Sequence, residues 1–190
     1  GMWLLERCRK EWGDAAPKDY GILISEAMKV TPFQSLINPD DKAFANPANM
    51  QEAIQEYCKN SSQHVPEGYA EICRCIFDSL ALRYRQVFGY LKEMASFPID
   101  TLHIIGGGSK NEYLDQFTAN STGVTVLAGP QECTALGNIM IQAKAAGTVK
   151  DIFDMRRMIA NSVEMKRFEP QNSEEWTAAY DKYLAVTGEK

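Results

Sequence analysis

Two glycine turns carry the residues of this chain whose types and spacing could do chemistry. The first is the triple glycine Gly106, Gly107 and Gly108, which follows a short β-prone run at 102–105. Each glycine costs backbone entropy on folding, so three in a row indicate a sharp bend or the close approach of another molecule. Asn111 follows in the predicted first turn of a helix, and its side-chain amide offers both a donor and an acceptor. A helix N-terminus beside such a turn can hold an anion or a polar ring edge.

The residues leave two interpretations of this first turn open. In one, the turn binds a nucleotide and Asn111 pairs with a purine edge. In the other, the turn only connects a strand to a helix, and Asn111 acts as a capping residue. Ser109 is predicted to open the helix, because Glu112 stands three residues later in the spacing of a capping box.

The second turn, Gly129 and Pro130, follows a predicted strand at 124–127. Pro130 suits the first position of a helix, since its missing N–H is not needed there. Gly137 costs about 1 kcal/mol relative to alanine inside that helix. Together with Ala135 it indicates a helix that packs closely against other backbone or against a ligand, and ordinary packing of a helix on a sheet remains the alternative.

Several well-known motifs are absent from the sequence. It contains no GxxxxGK[ST] phosphate loop, no GxGxxG dinucleotide turn, no GxSxG nucleophile elbow and no HExxH zinc motif. The five cysteines form no CxxC pair, and the two histidines are too few for a histidine-rich metal site. An odd number of cysteines without a secretory pattern favours reduced thiols and a cytoplasmic protein.

The elements around the turns are mostly helical. Apolar residues recur at helical spacing, and the longest such stripe, at 66–96, predicts a helix whose apolar face points into a core. The segment 31–49, rich in Pro and Asp, predicts an exposed or partner-facing loop. Residues 163–168 predict an edge strand of ambiguous register, and residues 189–190 a frayed end. The predicted helices span 2–12, 19–30, 48–59, 66–96, 109 onward, 131–146, 150–161 and 173 onward.

Composition narrows the function classes. The 190 residues are 45% hydrophobic and 24% charged, as in an ordinary globular protein large enough to bury a core. The net charge of −5 argues against a nucleic-acid-binding surface, which would show a basic stripe. No apolar run approaches the length of a membrane span, so we expect neither nucleic acid nor membrane as a partner.

The two turns and the residues between them resemble the FGGY carbohydrate kinases, most closely the rhamnulokinase branch. That family pattern is a hydrophobic strand, a GGG or GGA turn, an asparagine a few residues later, a glutamine before a strand, and a helix that begins with a GP-E-x-T-A-x-G-N motif. The resemblance covers essentially the whole chain and is strongest at 102–143. The matching residues are Gly106, Gly107, Gly108, Asn111, Gln116, Gly129, Pro130, Glu132, Thr134, Ala135, Gly137 and Asn138.

The resemblance implies the α/β, ribonuclease H-like fold of an actin-like ATPase, and residues 1–190 would be part of its C-terminal, nucleotide-binding lobe. That lobe would be incomplete here, helix-rich with a small sheet. The implied reaction is transfer of the γ-phosphoryl of ATP to L-rhamnulose, with Mg²⁺ bridging phosphate oxygens. Gly107 would lie near the α-phosphate and ribose, Asn111 would contact the adenine, and Gly106 and Gly108 would shape the turn. Xylulose or fuculose as the sugar, or a non-catalytic nucleotide-binding module, are the alternatives.

The family's catalytic patterns have no counterpart in this sequence. Its acidic phosphate loop and aspartate base come from an N-terminal lobe and an early part of the C-terminal lobe. Asp100 is a lone carboxylate before a strand, and we interpret it as a turn residue. We therefore expect a C-terminal fragment that is inactive alone. The strands at 102–105 and 124–127 would have unpaired edges, which predicts self-association.

Overall fold

The structure is a computed structural model, and its described residues are 1–188; the predicted frayed end at 189–190 lies outside the described residues. The helices and strands are α1 (Trp3–Trp12), α2 (Tyr20–Ala27), α3 (Met50–Asn60), α4 (Gly68–Met94), β1 (Thr101–Ile104), α5 (Glu112–Thr122), β2 (Thr125–Ala128), α6 (Cys133–Ala145), α7 (Ile152–Ser162), β3 (Lys166–Phe168) and α8 (Ser173–Thr187). Short 3₁₀ turns occupy Gly13–Ala15, Lys42–Phe44 and Gly106–Lys110. The predicted helices and strands are confirmed, with shifts of a few residues at their ends.

The chain forms two compact units. Unit 1 comprises Gly1–Met94 together with the residues from Asn172 onward, and unit 2 comprises Ala95–Gln171. None of the helices within residues 1–188 combines the length and the apolar character needed to cross a bilayer.

Unit 1 is a bundle of helices around the first two thirds of α4. Residues of α4 such as Ile76, Phe77 and Leu80 are buried, which confirms the predicted core-facing stripe over that part. The stripe prediction is wrong for the last turns, where Leu91 and Met94 are 50% and 83% exposed. In these last turns the apolar stripe of α4 continues, but the other helices of unit 1 do not cover it.

The segment 31–49 is irregular, as predicted, but it is exposed only in part. Leu36, Ile37 and Phe44 are buried. Side chains from the helices hold the backbone of this segment: Phe33 N donates to Asp78 Oδ2 at 2.8 Å, and Ile37 N donates to Ser79 Oγ at 2.9 Å. A loop can lie in a core when its N–H groups are satisfied in this way.

Unit 2 is built on a three-stranded sheet with the order β1-β2-β3. Strands β1 and β2 are parallel, with Thr101 opposite Thr125, and β2 and β3 are antiparallel, with Phe168 opposite Val126. The predicted edge position of β3 is confirmed and its register is resolved. The expectation of an open edge on the strand at 124–127 is wrong, because β2 pairs on both sides.

Candidate functional site

The two glycine turns lie side by side in unit 2, at the carboxyl ends of the parallel strands β1 and β2. Gly106 N donates to Pro130 O at 3.0 Å, and Gly129 N donates to Ile104 O at 2.8 Å. These reciprocal bonds join turns that are more than twenty residues apart in the sequence. The crevice outside the carboxyl ends of parallel strands is where open α/β sheets bind ligands, so the two turns together form the candidate site.

The backbone requires glycine at only some of these positions. Gly106 has a φ of 74° and Gly129 a φ of 124°, conformations that strain any other residue. Gly107 is different: its φ is not positive, it is exposed, and a Cβ added there would meet no atom within 4 Å. A Cβ on Gly108 would make an ordinary contact of 3.6 Å with Ile104 Cγ2. The protein's own packing does not require glycine at 107, whereas a ligand lying flat on the turn would.

The start of α5 differs from the prediction. The triple glycine continues into the 3₁₀ turn Gly106–Lys110, and α5 begins only at Glu112. Ser109 is therefore not the N-cap; its Oγ donates to Gly106 O at 2.7 Å and closes the 3₁₀ turn. The N-cap is Asn111, whose Oδ1 accepts a bond from Leu114 N at 3.2 Å. The predicted capping box is wrong, because the 3₁₀ turn moves the helix start.

The sequence left two interpretations of Asn111 open, and the structure confirms that it acts as a helix cap. The side chain is 8% exposed. Contact between Asn111 and an adenine ring stays a prediction, and such a contact would have to be compatible with the bond to Leu114.

Sequence reasoning missed Asp115, one turn further along α5. This residue is 1% exposed, and its Oδ2 has no hydrogen-bond partner among the described residues. Burial raises the pKa of the Asp115 carboxyl to about 7, with a further contribution from Glu112 that Lys166 partly opposes. Nothing in the local pattern marks Asp115, since an aspartate near a helix start is commonly an exposed helix-favouring residue.

Gln116 holds α5 in place next to the candidate site. Its Nε2 donates to Asn120 Oδ1 at 2.7 Å and to Glu169 O at 2.8 Å, which ties α5 to the segment after β3. Asn120 Oδ1 also accepts Gln171 N at 2.9 Å. Glu112 forms an ion pair with Lys166 of β3. These contacts fix α5, and with it Asn111, against the sheet.

The helix after the second turn, α6, is only loosely packed. Met140 is its buried residue and packs against Val149 and Met155. A Cβ on Gly137 would meet nothing within 4 Å. The interpretation that Ala135 and Gly137 allow the helix to pack closely against other backbone is therefore wrong for the described residues. Thr134, Ala135 and Asn138 are exposed at this end of unit 2.

No three His, Cys, Asp or Glu side chains among residues 1–188 come together as a metal site would require. Asp100 lies just before β1 and is exposed, and its Oδ1 accepts a bond from Thr101 Oγ1 at 3.0 Å. That local contact is what a turn residue makes.

Comparison with known proteins decides the family. Residues 1–146 match the C-terminal domain of the FGGY family of carbohydrate kinases. The chain belongs to the FGGY family of carbohydrate kinases. The family resemblance found in the two glycine turns is therefore confirmed.

Curated relatives in the FGGY family include several rhamnulokinases. This chain is 56% identical over 180 residues to that of Bacteroides thetaiotaomicron, covering 95% of this chain and 36% of the relative. It is 43% identical over 187 residues to that of Pectobacterium atrosepticum, covering 98% and 37%, and 40% identical over 172 residues to that of Bacillus subtilis, covering 90% and 35%. The chain thus spans little more than a third of the length of these relatives.

A solved structure shares the FGGY fold with this chain. The xylulose kinase from Rhodospirillum rubrum superposes with a TM-score of 0.63 over 97% of this chain and 36% of that chain, at 18% identity. At that identity the likeness concerns the fold alone. Together with the family match it confirms the expected actin-like α/β fold, helix-rich with a small sheet.

Proposed function

We propose that the whole protein is an ATP-dependent sugar kinase that converts L-rhamnulose and ATP to L-rhamnulose 1-phosphate and ADP, and that this chain contributes part of its nucleotide pocket. Family membership and the rhamnulokinases among its relatives support the proposal. On this proposal residues 1–190 belong to the C-terminal part of the nucleotide-binding lobe, and the N-terminal sugar and phosphate lobe of the whole protein lies outside them.

The observation that carries the nucleotide site is the pairing of the two glycine turns through Gly106, Ile104, Gly129 and Pro130. The paired turns form one surface at the carboxyl edge of the sheet. A flat ligand can lie on that surface at Gly107, because no side chain or neighbouring atom occupies the space there. The proposed nucleotide-binding residues are therefore Gly106, Gly107, Gly108 and Asn111.

The chemistry of phosphoryl transfer requires a group that orients and deprotonates the sugar hydroxyl, and a metal ion that neutralises the phosphates. We assign neither role to a residue of this chain, and we expect the chain alone to be inactive. Mg²⁺ would enter bound to the phosphates of ATP, where it stabilises developing charge.

Calorimetric titration of this chain with ATP and with ADP tests the nucleotide site. The decisive variant is Gly107→Val, since a Cβ at this position meets no atom within 4 Å in the free protein. We expect its affinity to fall at least about ten-fold, equivalent to about 1.4 kcal/mol. Gly89→Ala, at another glycine with open space but on α4, is the matched control and should bind as the parent does.

Absence of binding at millimolar nucleotide would contradict the site and leave an interaction module as the function of this chain. Equal affinity of the parent and Gly107→Val would place the nucleotide elsewhere.

The sugar is tested separately, by assaying the whole protein with a panel of ketoses. We expect ADP release with L-rhamnulose. Activity on xylulose or fuculose with none on L-rhamnulose would refute the substrate but keep the kinase class, and no activity on any sugar would favour the non-catalytic alternative.

Two further proposals concern the context of the chain. We expect this chain to self-associate through the open edge of β1, which pairs only with β2 in the sheet. We also place the protein in the cytoplasm, because ATP is available there and five unpaired thiols suit a reducing compartment.

A further inference from the structure

Helix α6 is poorly suited to the solvent that surrounds it in this chain. Eight of its thirteen residues are apolar and a single one, Lys144, is charged. Met140 is nevertheless its one buried residue, while Ile139 and Ile141 are 61% and 60% exposed. A helix that is apolar on all sides is normally buried on all sides, so a large part of the surface of α6 lacks the covering that its composition suits.

The neighbouring helix α7 provides a comparison within the same unit. Its Met155 packs with Val149 against Met140 of α6. The exposed residues of α7 include Arg156 and Arg157, and charged residues of this kind are what a helix at a protein surface ordinarily shows. Unit 2 therefore follows the usual pattern at α7 and departs from it at α6.

The exposed residues of α6 define one side of the helix. Thr134, Asn138, Ile141 and Ala145 are all exposed, and they follow one another in steps of four and three residues. That spacing places them on the same side of a helix, roughly opposite Met140. We call these four residues the outer face of α6; none of them is charged.

The polar groups on and beside the outer face are arranged as they would be in an interface. Gln142 Nε2 donates to Asn138 Oδ1 at 2.6 Å, so the two amides satisfy part of each other's hydrogen bonding. Amides that are paired in this way are less costly to bury than amides that bond water. A Cβ on Gly137 would meet no atom within 4 Å, and no described residue uses the space that the missing side chain leaves. Atoms of another segment can enter there.

We propose that the outer face of α6 packs against a segment of the same whole protein that lies outside residues 1–190 and presents an apolar, uncharged surface. The chain covers 36% of the rhamnulokinase of Bacteroides thetaiotaomicron, so almost two thirds of that relative have no counterpart in residues 1–190. Residues 1–146, which include all of α6, match the family's C-terminal domain. The helix thus belongs to the part that this chain shares with longer relatives, in which further residues are available to cover it.

A segment of the same polypeptide is favoured over a second copy of the chain for a physical reason. Two parts of one polypeptide meet at an effective concentration in about the millimolar range, whereas separate molecules must find each other at their bulk concentration. The outer face also carries no charge that would select a separate partner. The inference rests on the family and on the lengths of the relatives, and it does not require that the two glycine turns bind a nucleotide.

Thiol labelling compares the outer face in this chain and in the whole protein. Ile141→Cys in a Cys133→Ser background places a reporter on the face, and Arg156→Cys on α7 is the matched control. Each protein is treated with iodoacetamide, and the introduced thiol is followed by peptide mass spectrometry. We expect Ile141→Cys to react at least about a hundred-fold more slowly in the whole protein than in this chain, because the covering segment must first open locally. Arg156→Cys should react at similar rates in both.

Three results of the labelling would overturn the proposal. Equal rates for Ile141→Cys in the chain and in the whole protein would mean that the outer face stays exposed. Equal slowing at both positions would mean that unit 2 is covered generally and not at this face in particular. Protection of Ile141→Cys in the chain itself that increases with protein concentration would assign the face to a second copy.

A second variant gives a readout that does not depend on labelling. Ile141→Asp puts a charge on the outer face, which costs little where the face meets water and much where it meets an apolar surface. We expect its melting temperature to fall by at least about 5 °C in the whole protein and by less than about 2 °C in this chain. Arg156→Asp is the control and should shift little in both. A fall of the same size in the chain and in the whole protein would contradict the proposed packing.

Discussion

At the scale of single residues, the candidate site separates positions that the fold requires from positions that it does not. Gly106 is held at positive φ, and Asn111 supplies the acceptor that opens α5. Gly107 meets neither requirement. Substitutions at Gly106 therefore test the turn itself, those at Gly107 test the ligand, and those at Asn111 test both.

The two proposed roles of Asn111, helix cap and nucleotide contact, can be distinguished by two substitutions. Asn111→Ala removes the acceptor for Leu114 N and should lower the free energy of unfolding by about 1 kcal/mol. Asn111→Asp keeps the acceptor and adds a charge that suits a helix N-terminus, so it should be nearly neutral. Chemical denaturation measures both. If Asn111 also reads the nucleotide through its amide, Asn111→Asp should bind ATP more weakly although it is as stable as the parent.

Asp115 should make the stability of unit 2 depend on pH. Its pKa is raised from 3.8 to about 7, chiefly by burial, so the folded state favours the protonated carboxyl. The resulting stabilisation is complete below the unfolded pKa and is lost as the pH rises through about 7. Asp115→Asn has no carboxyl to ionise, so it should escape this loss. Between pH 4 and pH 8 the free energy of unfolding of the variant minus that of the parent should rise by on the order of 1–3 kcal/mol.

Urea denaturation followed by circular dichroism at the two pH values measures this effect. Glu164→Gln, an exposed carboxylate in the same unit, serves as the control and should show no such dependence. A constant difference between Asp115→Asn and the parent at both pH values would mean that the carboxyl does not titrate in the fold.

At the scale of elements, the two edges of the sheet differ in how they are protected. The edge strand β3 carries Lys166 and Arg167, and charged side chains discourage pairing with another chain. The edge strand β1 reads Thr-Leu-His-Ile and contains no Lys, Arg, Asp, Glu or Pro. An unprotected edge of this kind is the expected route of self-association.

A lysine at the exposed His103 should therefore block association. We expect the parent chain to increase in mean mass with concentration and His103→Lys to remain monomeric, since the lysine would have to be desolvated on pairing. Sedimentation equilibrium measures both. Arg167→Lys on β3 preserves that strand's charge and should associate like the parent; a monomeric parent at the highest concentration would exclude the proposed edge contact.

At the scale of the whole molecule, the chain leaves unit 1 after α4, builds unit 2, and returns to unit 1 with α8. Trp176, Ala179 and Tyr183 of α8 are buried in unit 1, and the ring of Trp176 contacts that of Phe33 with centroids 4.8 Å apart. Lys182 Nζ also donates to Phe33 O at 2.5 Å. The stability of unit 1 therefore depends on residues that follow unit 2 in the sequence.

Tyr183→Ala tests this dependence. Removing a fully buried aromatic ring typically costs about 3–5 kcal/mol, so unit 1 should unfold at markedly lower denaturant. Tryptophan fluorescence reports on this unit specifically, because Trp3, Trp12 and Trp176 all belong to it. Asp181→Ala, exposed on the same helix, should change the midpoint little; an equally small effect of Tyr183→Ala would mean that α8 is dispensable.

The amino-acid sequence alone determined the features that depend on local interactions. Glycines at 106 and 129 indicate the turns because few other residues adopt their backbone angles. Asp19 caps α2 by accepting a hydrogen bond from Ile22 N, a contact between residues three apart. Helical periodicity gave the positions of the helices, because one face of each must be apolar. The long motif across both turns was sufficient to reveal the family.

Only the tertiary structure decided which distant residues meet. The pairing of the two turns, the central position of β2 and the burial of Leu36, Ile37 and Phe44 all depend on residues far apart in the chain. The pKa of Asp115 belongs to the same group, because desolvation is set by what packs around a carboxyl and not by its neighbours in sequence. These properties depend on long-range contacts, and local sequence patterns do not predict such contacts.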